Sequence, residues 1–160
     1  MTGETARREA AEHLALTLVG AGMQRMGARA LAAFLFSDKE SLTAGDLAEE
    51  LGVSAGSVSG AIKMIVQMGL IERIYVAGSR REHFRMRDNA WTTLYSRQHS
   101  VVDDVLTAVE RGVDAVGSGP AFQRLVDMRD FYAFLLDEAP ALVERFEQLR
   151  AERRRGGSRP

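Results

Sequence analysis

The stretch SAGSVSGAIKMIVQMGL, Ser54 to Leu70, decides the fold of this chain. Its apolar residues recur at three- and four-residue spacing, the period of an amphipathic helix, and Ser54 is a good helix N-cap. Yet Gly56 and Gly60 fall in its first half, and an interior glycine costs a helix about 0.5–1 kcal/mol relative to alanine. Placing the residues at about 100° per step resolves the conflict. Val58, Ala61, Ile62, Ile65 and Gly69 share one side, the expected core face. Gly56, Gly60, Lys63 and Gln67 share the opposite side, flanked by Ser59. Glycines on an exposed face leave no hole in a core, and they let the backbone come close to a large, flat partner.

The neighbouring segments give this helix a context. Upstream, Thr43 is placed to cap a short helix, AGDLAEELG, with Asp46 at its third position, Leu47 and Leu51 on its inner face and Gly52 as its stop. The turn LGVS (Leu51–Ser54) joins the two helices, with Val53 pointing inward. Downstream, IERIYV (Ile71–Val76) reads as a strand, AGS (Ala77–Ser79) as a turn and EHFRM (Glu82–Met86) as the returning strand. A further helix is expected upstream at Arg29–Phe36. Helix, short capped helix, turn, second capped helix and charged hairpin follow in the order of a winged helix-turn-helix. The predicted fold class is mainly α with a small two- or three-stranded β-wing, and with N- and C-terminal helices as a dimerisation region.

Outside this core the pattern is helical. A first helix is expected from about Thr5 to Gln24, with Ala10, Leu14, Leu18 and Ala21 on one stripe, interrupted by GAGMQRMG (Gly20–Gly27). Trp91, Leu94, Tyr95, Val102, Val105, Val109 and Val113 predict a long amphipathic helix reaching about Val116. GSGP (Gly117–Pro120) breaks it; a largely apolar helix then covers Ala121–Leu136, and Pro140 starts a last one. The end, RAERRRGGSRP, is expected to be frayed and disordered. The division is therefore residues 1–28 as an N-terminal helix of the dimerisation region, 29–88 as the winged lobe, 89–153 as the C-terminal dimerisation helices and 154–160 as a basic tail.

Composition excludes several classes. The 160 residues suit one domain, or one lobe with appended helices. Without cysteine there is neither a disulfide framework nor a thiolate metal site, which fits a cytoplasmic location. No opening run has the pattern of a signal peptide, and none reads as a membrane span. The net charge of −1 hides an asymmetry: residues 54–87 hold six basic and two acidic side chains, a local +4 against −5 elsewhere. A basic patch on an acidic body is an electrostatic footprint for a polyanion.

The expected DNA-binding set follows. Ser54, Ser57 and the early backbone N–H groups, Ala55 among them, would sit on phosphates at a helix N-terminus. Lys63 and Gln67, with Ser59, would face base edges, while Gly56 and Gly60 allow close approach. Arg80 and Arg81, at the tip of the Val76–Phe84 wing, would enter a minor groove or grip phosphate. Thr43, at the cap of the preceding helix, completes the set. Trp91, Tyr95, Phe122, Phe131 and Tyr132 are candidates for a small-molecule pocket, although aromatics at helical spacing more often form plain core. His13, His83 and His99 lie on separate elements; His83 is expected to be solvated, and His99 with Asp103 makes either a metal-ligand pair or a surface pair. No catalytic signature, cofactor motif or metal site is read from the chain.

The segment TAGDLAEELGVSAGSVSGAIKMIVQMGLIERIYVAGSRREHFRM (Thr43–Met86) resembles the winged-helix core of MarR-type transcriptional regulators, over about residues 29–87. GAGMQRMGARALAAFLF before it, and DNAW with a long helix after it, resemble the GbsR-like branch of bacterial regulators. The resemblance implies a homodimer in which first and last helices pair and two recognition helices read a near-palindromic operator. It also implies a ligand site between the dimerisation helices and the DNA-binding lobe. Many such regulators carry arginine or another polar side chain where this chain has Gly60, which shifts base readout towards Lys63 and the wing. The expected function is a dimeric, sequence-specific DNA-binding regulator, a repressor relieved by a small-molecule effector. The competing class is a winged-helix protein–protein adaptor that never touches DNA, and such an adaptor has no need of the local +4.

Overall fold

The computed structural model describes residues 3–156. In chain order the elements are α1 (Gly3–Gly20), α2 (Arg25–Phe36), β1 (Leu42–Thr43), α3 (Ala44–Leu51), α4 (Ala55–Gln67), β2 (Ile71–Ile74), β3 (His83–Met86), α5 (Ala90–Val116) and α6 (Gly119–Gly156). The chain divides into two units, one up to Leu94 and one from Tyr95.

Local chemistry starts and stops the helices of the first unit. The Thr43 hydroxyl accepts the Asp46 N–H at 3.1 Å, and Asp46 Oδ2 accepts the Thr43 N–H at 2.8 Å, a complete capping box at the start of α3. Gly52 ends that helix at φ 64°, a left-handed conformation that glycine adopts without a Cβ penalty. Ser54 caps α4 by accepting the Ser57 N–H at 3.3 Å. Arg29 of α2 donates to the Leu51 carbonyl at 3.1 Å, tying down the free end of α3.

The core of this unit lies where α2, α3, α4 and the sheet meet. α2 contributes Ala30, Leu31, Ala33 and Phe34; α4 contributes Val58, Ala61, Ile62 and Ile65; Leu42, Leu47, Leu70, Ile71 and Phe84 close it. The α2–α4 contact is close because Gly27 is buried there, and the Met64 methyl lies only 1.7 Å from where a Gly27 Cβ would stand. The sheet has the order β1-β3-β2, with both pairs antiparallel. Phe84 faces Leu42 on one side and Arg73 on the other. The Arg87 N–H donates to the Leu70 carbonyl at 3.0 Å and closes the base of the hairpin.

Several boundaries depart from the sequence reading. α1 stops at Gly20 and α2 begins at Arg25, four residues before the expected Arg29. Gly22, at φ 99°, makes the turn between them, and the Met23 N–H closes it on the Leu18 carbonyl. The strand expected through Val76 ends at Ile74, and Tyr75 is 87% exposed. In the second unit the break expected before Pro140 is absent, since α6 runs through it to Gly156. Proline's fixed φ is compatible with a helix, so the chain continues through Pro140 although it lacks the N–H that would bond the Leu136 carbonyl and its ring crowds that carbonyl. The expected disordered end is helical as far as Gly156, and residues 157–160 lie outside those described. Within this unit Val109, Val113 and Ala139 are buried, and Leu125 lies 3.4 Å from where a Cβ on Gly112 would stand.

The capping box makes a stability prediction. Hydrogen bonds from the Thr43 hydroxyl and N–H, then from Lys39, hold the Asp46 carboxyl well below the usual carboxylate range. Folding therefore favours the ionised form, a contribution present above the unfolded pKa of about 4 and lost as pH falls below it. Thr43→Ala is expected to cost about 1 kcal/mol in urea unfolding at pH 7. Asp46→Asn is expected to destabilise at pH 7 as well, with its deficit shrinking as the pH is lowered through 4 to 3.

Candidate nucleic-acid interface

The two sides of α4 separate as the spacing dictates. Val58, Ala61, Ile62 and Ile65 are buried, whereas Ser54, Ala55, Gly56, Ser57, Ser59, Gly60, Lys63 and Gln67 are exposed. A Cβ added at Gly60 meets nothing within 4 Å, and one at Gly56 meets only Ser54 Oγ at 3.9 Å. The glycines therefore create no packing contact inside the chain; they lower the profile of the outer face. The Ser54 and Ser57 hydroxyls lie 3.1 Å apart and remain exposed beside the first turn.

Thr43 takes a different part from the one assigned to it. It is 4% exposed, and its hydroxyl is held by Asp46, so it shapes α3 and presents nothing to a partner.

Ion pairing sorts the cations of the basic segment. Arg73 pairs with Glu82 at 2.8 Å, while Arg85 and Arg87 share Glu72 at 3.0 and 3.7 Å. The Glu72–Arg85 pair lies across the ladder, where these residues are register partners. Lys63, Arg80 and Arg81 have no ion-pair partner among the described residues, and all three are exposed. The unpaired cations are thus the three assigned to a polyanion. The wing turns at Val76–Ser79, with Gly78 at φ 80° and the Ser79 N–H on the Val76 carbonyl. Arg80 and Arg81 follow that turn on the returning limb, rather than forming its tip. An Arg81 guanidinium nitrogen lies 3.9 Å from where a Gly45 Cβ would stand, beside the first turn of α3.

His83 is not the solvated side chain expected. It is half-buried, with Nδ1 3.1 Å from Ser41 Oγ and Nε2 2.8 Å from Ser79 Oγ. Ser41 is distant in sequence, so no local pattern announced the contact.

In the second unit, His99 and Asp103 line a cleft of about 650 Å³ with Leu136, Pro140, Val143 and Glu144. None of Trp91, Tyr95, Phe122, Phe131 and Tyr132 lines it. Trp91 and Phe131 are 50% and 59% exposed, and the Phe131 and Tyr132 rings meet edge to face at 5.7 Å. His99 packs its ring against Tyr95 at 4.3 Å. Among the described residues no group of three or more candidate metal ligands occurs, and no helix is long and apolar enough to cross a membrane.

A helix with a buried apolar stripe and an open polar face, set behind a capped partner helix and followed by a cation-bearing antiparallel wing, defines a winged helix-turn-helix protein. Comparison with known proteins makes the assignment narrower. Residues 21–82 match the MarR family, and residues 89–151 match the MmpR5-like MarR family transcriptional regulators. The HTH-type transcriptional regulator MmpR5 of Mycobacterium tuberculosis (strain ATCC 25618 / H37Rv) is 31% identical over 132 residues, 81% of this chain and 80% of that protein. A crystal structure described as a transcriptional regulator superposes with a TM-score of 0.79 at 29% identity, covering 89% of this chain and 99% of the other. The chain belongs to the MarR family of transcriptional regulators. The family is the one that Thr43–Met86 resembles, and the C-terminal helices match its MmpR5-like members.

The glycine face yields a direct test. Gly56→Ala and Gly60→Ala are each expected to raise stability by about 0.5–1 kcal/mol in urea unfolding, because the added methyl enters open space on a helix.

Proposed function

We propose that the chain is a homodimeric, sequence-specific double-stranded DNA-binding repressor whose grip on a near-palindromic operator is relieved by a small-molecule effector. The observation that carries the DNA reading is the sorting of charge. Within residues 54–87, the cations with no acidic partner among the described residues are Lys63 on the glycine-thinned face of α4 and Arg80 and Arg81 on the wing. In this reading the first turn of α4, with Ser54, Ala55 and Ser57, sits on phosphate. Gly56 and Gly60 let the helix backbone approach the major-groove wall. Lys63, Ser59 and Gln67 face base edges, and Arg80 and Arg81 hold the backbone or the adjacent minor groove. A protein–protein adaptor gives no reason for these cations to remain unpaired while their neighbours are neutralised.

The dimer reading rests on α6. Met128, Leu135, Leu142 and Leu149 recur every seven residues and are all exposed, with Phe131 and Phe146 beside them. Such a stripe on a helix supports pairing with another helix, and obligate interfaces of this kind bury ~2,000 Å² or more. Two-fold symmetry would then set two recognition helices about 34 Å apart, one turn of DNA.

A gel shift with a duplex from the region upstream of the chain's own coding sequence, repeated at rising salt, tests the DNA reading. Affinity is expected to fall steeply with salt as counterions are released. Arg80→Ala with Arg81→Ala is expected to weaken binding to every duplex, whereas Lys63→Ala relaxes preference at particular bases by about 1–3 kcal/mol. Binding that ignores both salt and the arginines favours the adaptor. For the assembly, Leu142→Glu is expected to convert a dimer to monomer in sedimentation; a parent that sediments as monomer overturns the dimer.

A further inference from the structure

His83 connects parts of the winged lobe that the backbone ladder leaves loosely joined. It stands on the central strand β3, opposite Thr43 of β1 and Ile74 of β2. One ring nitrogen meets Ser41 Oγ, immediately before β1, at 3.1 Å, and the other meets Ser79 Oγ on the wing at 2.8 Å. The Ser79 oxygen also accepts the Arg81 N–H at 3.1 Å. The donors and acceptors balance. With its oxygen engaged by Arg81, the Ser79 hydroxyl can donate its proton to Nε2, and the Nδ1–H then donates to Ser41 Oγ. A continuous relay therefore runs from the approach to α3, through an imidazole and a serine, to the backbone of a wing arginine.

Beyond the turn bond from the Ser79 N–H to the Val76 carbonyl, little else orders residues 75–82. Tyr75 projects into solvent, Gly78 is at positive φ, and the Arg73–Glu82 pair joins two exposed side chains, an arrangement that contributes little by itself. We propose that His83 is a positioning residue for DNA: through Ser79 it fixes the backbone that carries Arg80 and Arg81, so the wing's cations meet DNA already ordered. Ordering a loop at the moment of binding subtracts from affinity, and a strut that orders it beforehand removes that loss. The proposal rests on the DNA-binding reading above.

The test uses the full chain and one fixed duplex recovered by selection from random DNA, with affinity read by fluorescence anisotropy. His83→Phe removes the imidazole and leaves the Ser79 acceptor. This variant is expected to weaken binding and speed Arg81 exchange in the same direction as Ser79→Ala. Ser79→Ala removes both the imidazole's partner and the acceptor for the Arg81 N–H. It is expected to weaken binding about three- to tenfold, the effect of about one net hydrogen bond, and to speed amide exchange at Arg81 in the free protein. Ser79→Thr keeps the hydroxyl and is expected to restore both. In the Arg80→Ala, Arg81→Ala background, Ser79→Ala is expected to add less than about twofold, because the strut acts through those side chains. A His83→Phe or Ser79→Ala protein that binds as tightly as the parent, or a Ser79→Ala protein that loses the same factor with the arginines absent, overturns the proposal. A parent that binds no duplex overturns the DNA reading and the positioning role together, an outcome distinct from a binding parent whose affinity ignores Ser79.

Discussion

Everything exposed on the winged lobe follows from what α4 buries. Val58, Ile62 and Ile65 are driven into the contact with α2 and the sheet, and each contributes about 1.5–3 kcal/mol on leaving water. Against that, two glycines on the far side cost about 0.5–1 kcal/mol each. The apolar stripe wins, and it fixes the rotation of the helix about its axis. Once that rotation is set, Gly56, Gly60, Lys63 and Gln67 have no choice but to face solvent. The close approach of α2, made possible by Gly27 against Met64, keeps the orientation unique, since a bulkier residue there would push the helices apart.

Charge then completes what packing begins. The ion pairs of Glu72 and Glu82 join exposed or half-buried side chains at the surface and add little stability. Their consequence is selective: they neutralise Arg73, Arg85 and Arg87 and leave Lys63, Arg80 and Arg81 as the available cations of that segment. A net charge of −1 for the whole chain is therefore a poor guide to what this surface attracts. Fields are local on the scale of a Debye length, about 8 Å at physiological salt.

What could be read from the sequence was what local chemistry decides. The capping box of Thr43 and Asp46, the left-handed Gly52 and the two faces of α4 depend on residues within a few positions of one another. The start of α2 at Arg25 was hidden because Gly22 places a tight turn inside what looked like a longer interruption. The continuity of α6 through Pro140 was hidden because proline is favoured at a helix start and costly inside a helix, so local chemistry points to a break there. His83 was misjudged because its partners, Ser41 and Ser79, come from separate segments and meet only when the sheet forms. Thr43 shows the reverse error: a residue well placed to touch a partner is spent on its own helix. The five candidate aromatics do not line the cleft beside His99, and helical spacing fixes which side chains share a face but not what covers that face.

In the proposed reading, the glycine face of α4 and the cationic limb of the wing form one DNA-docking surface. Amide hydrogen exchange on the full chain, compared with and without a selected duplex, examines that claim most directly. It predicts that slowed exchange concentrates in two places, residues 54–63 and residues 78–82. Slowing confined to α1 or α6, with both of those segments unchanged by saturating duplex, would contradict it.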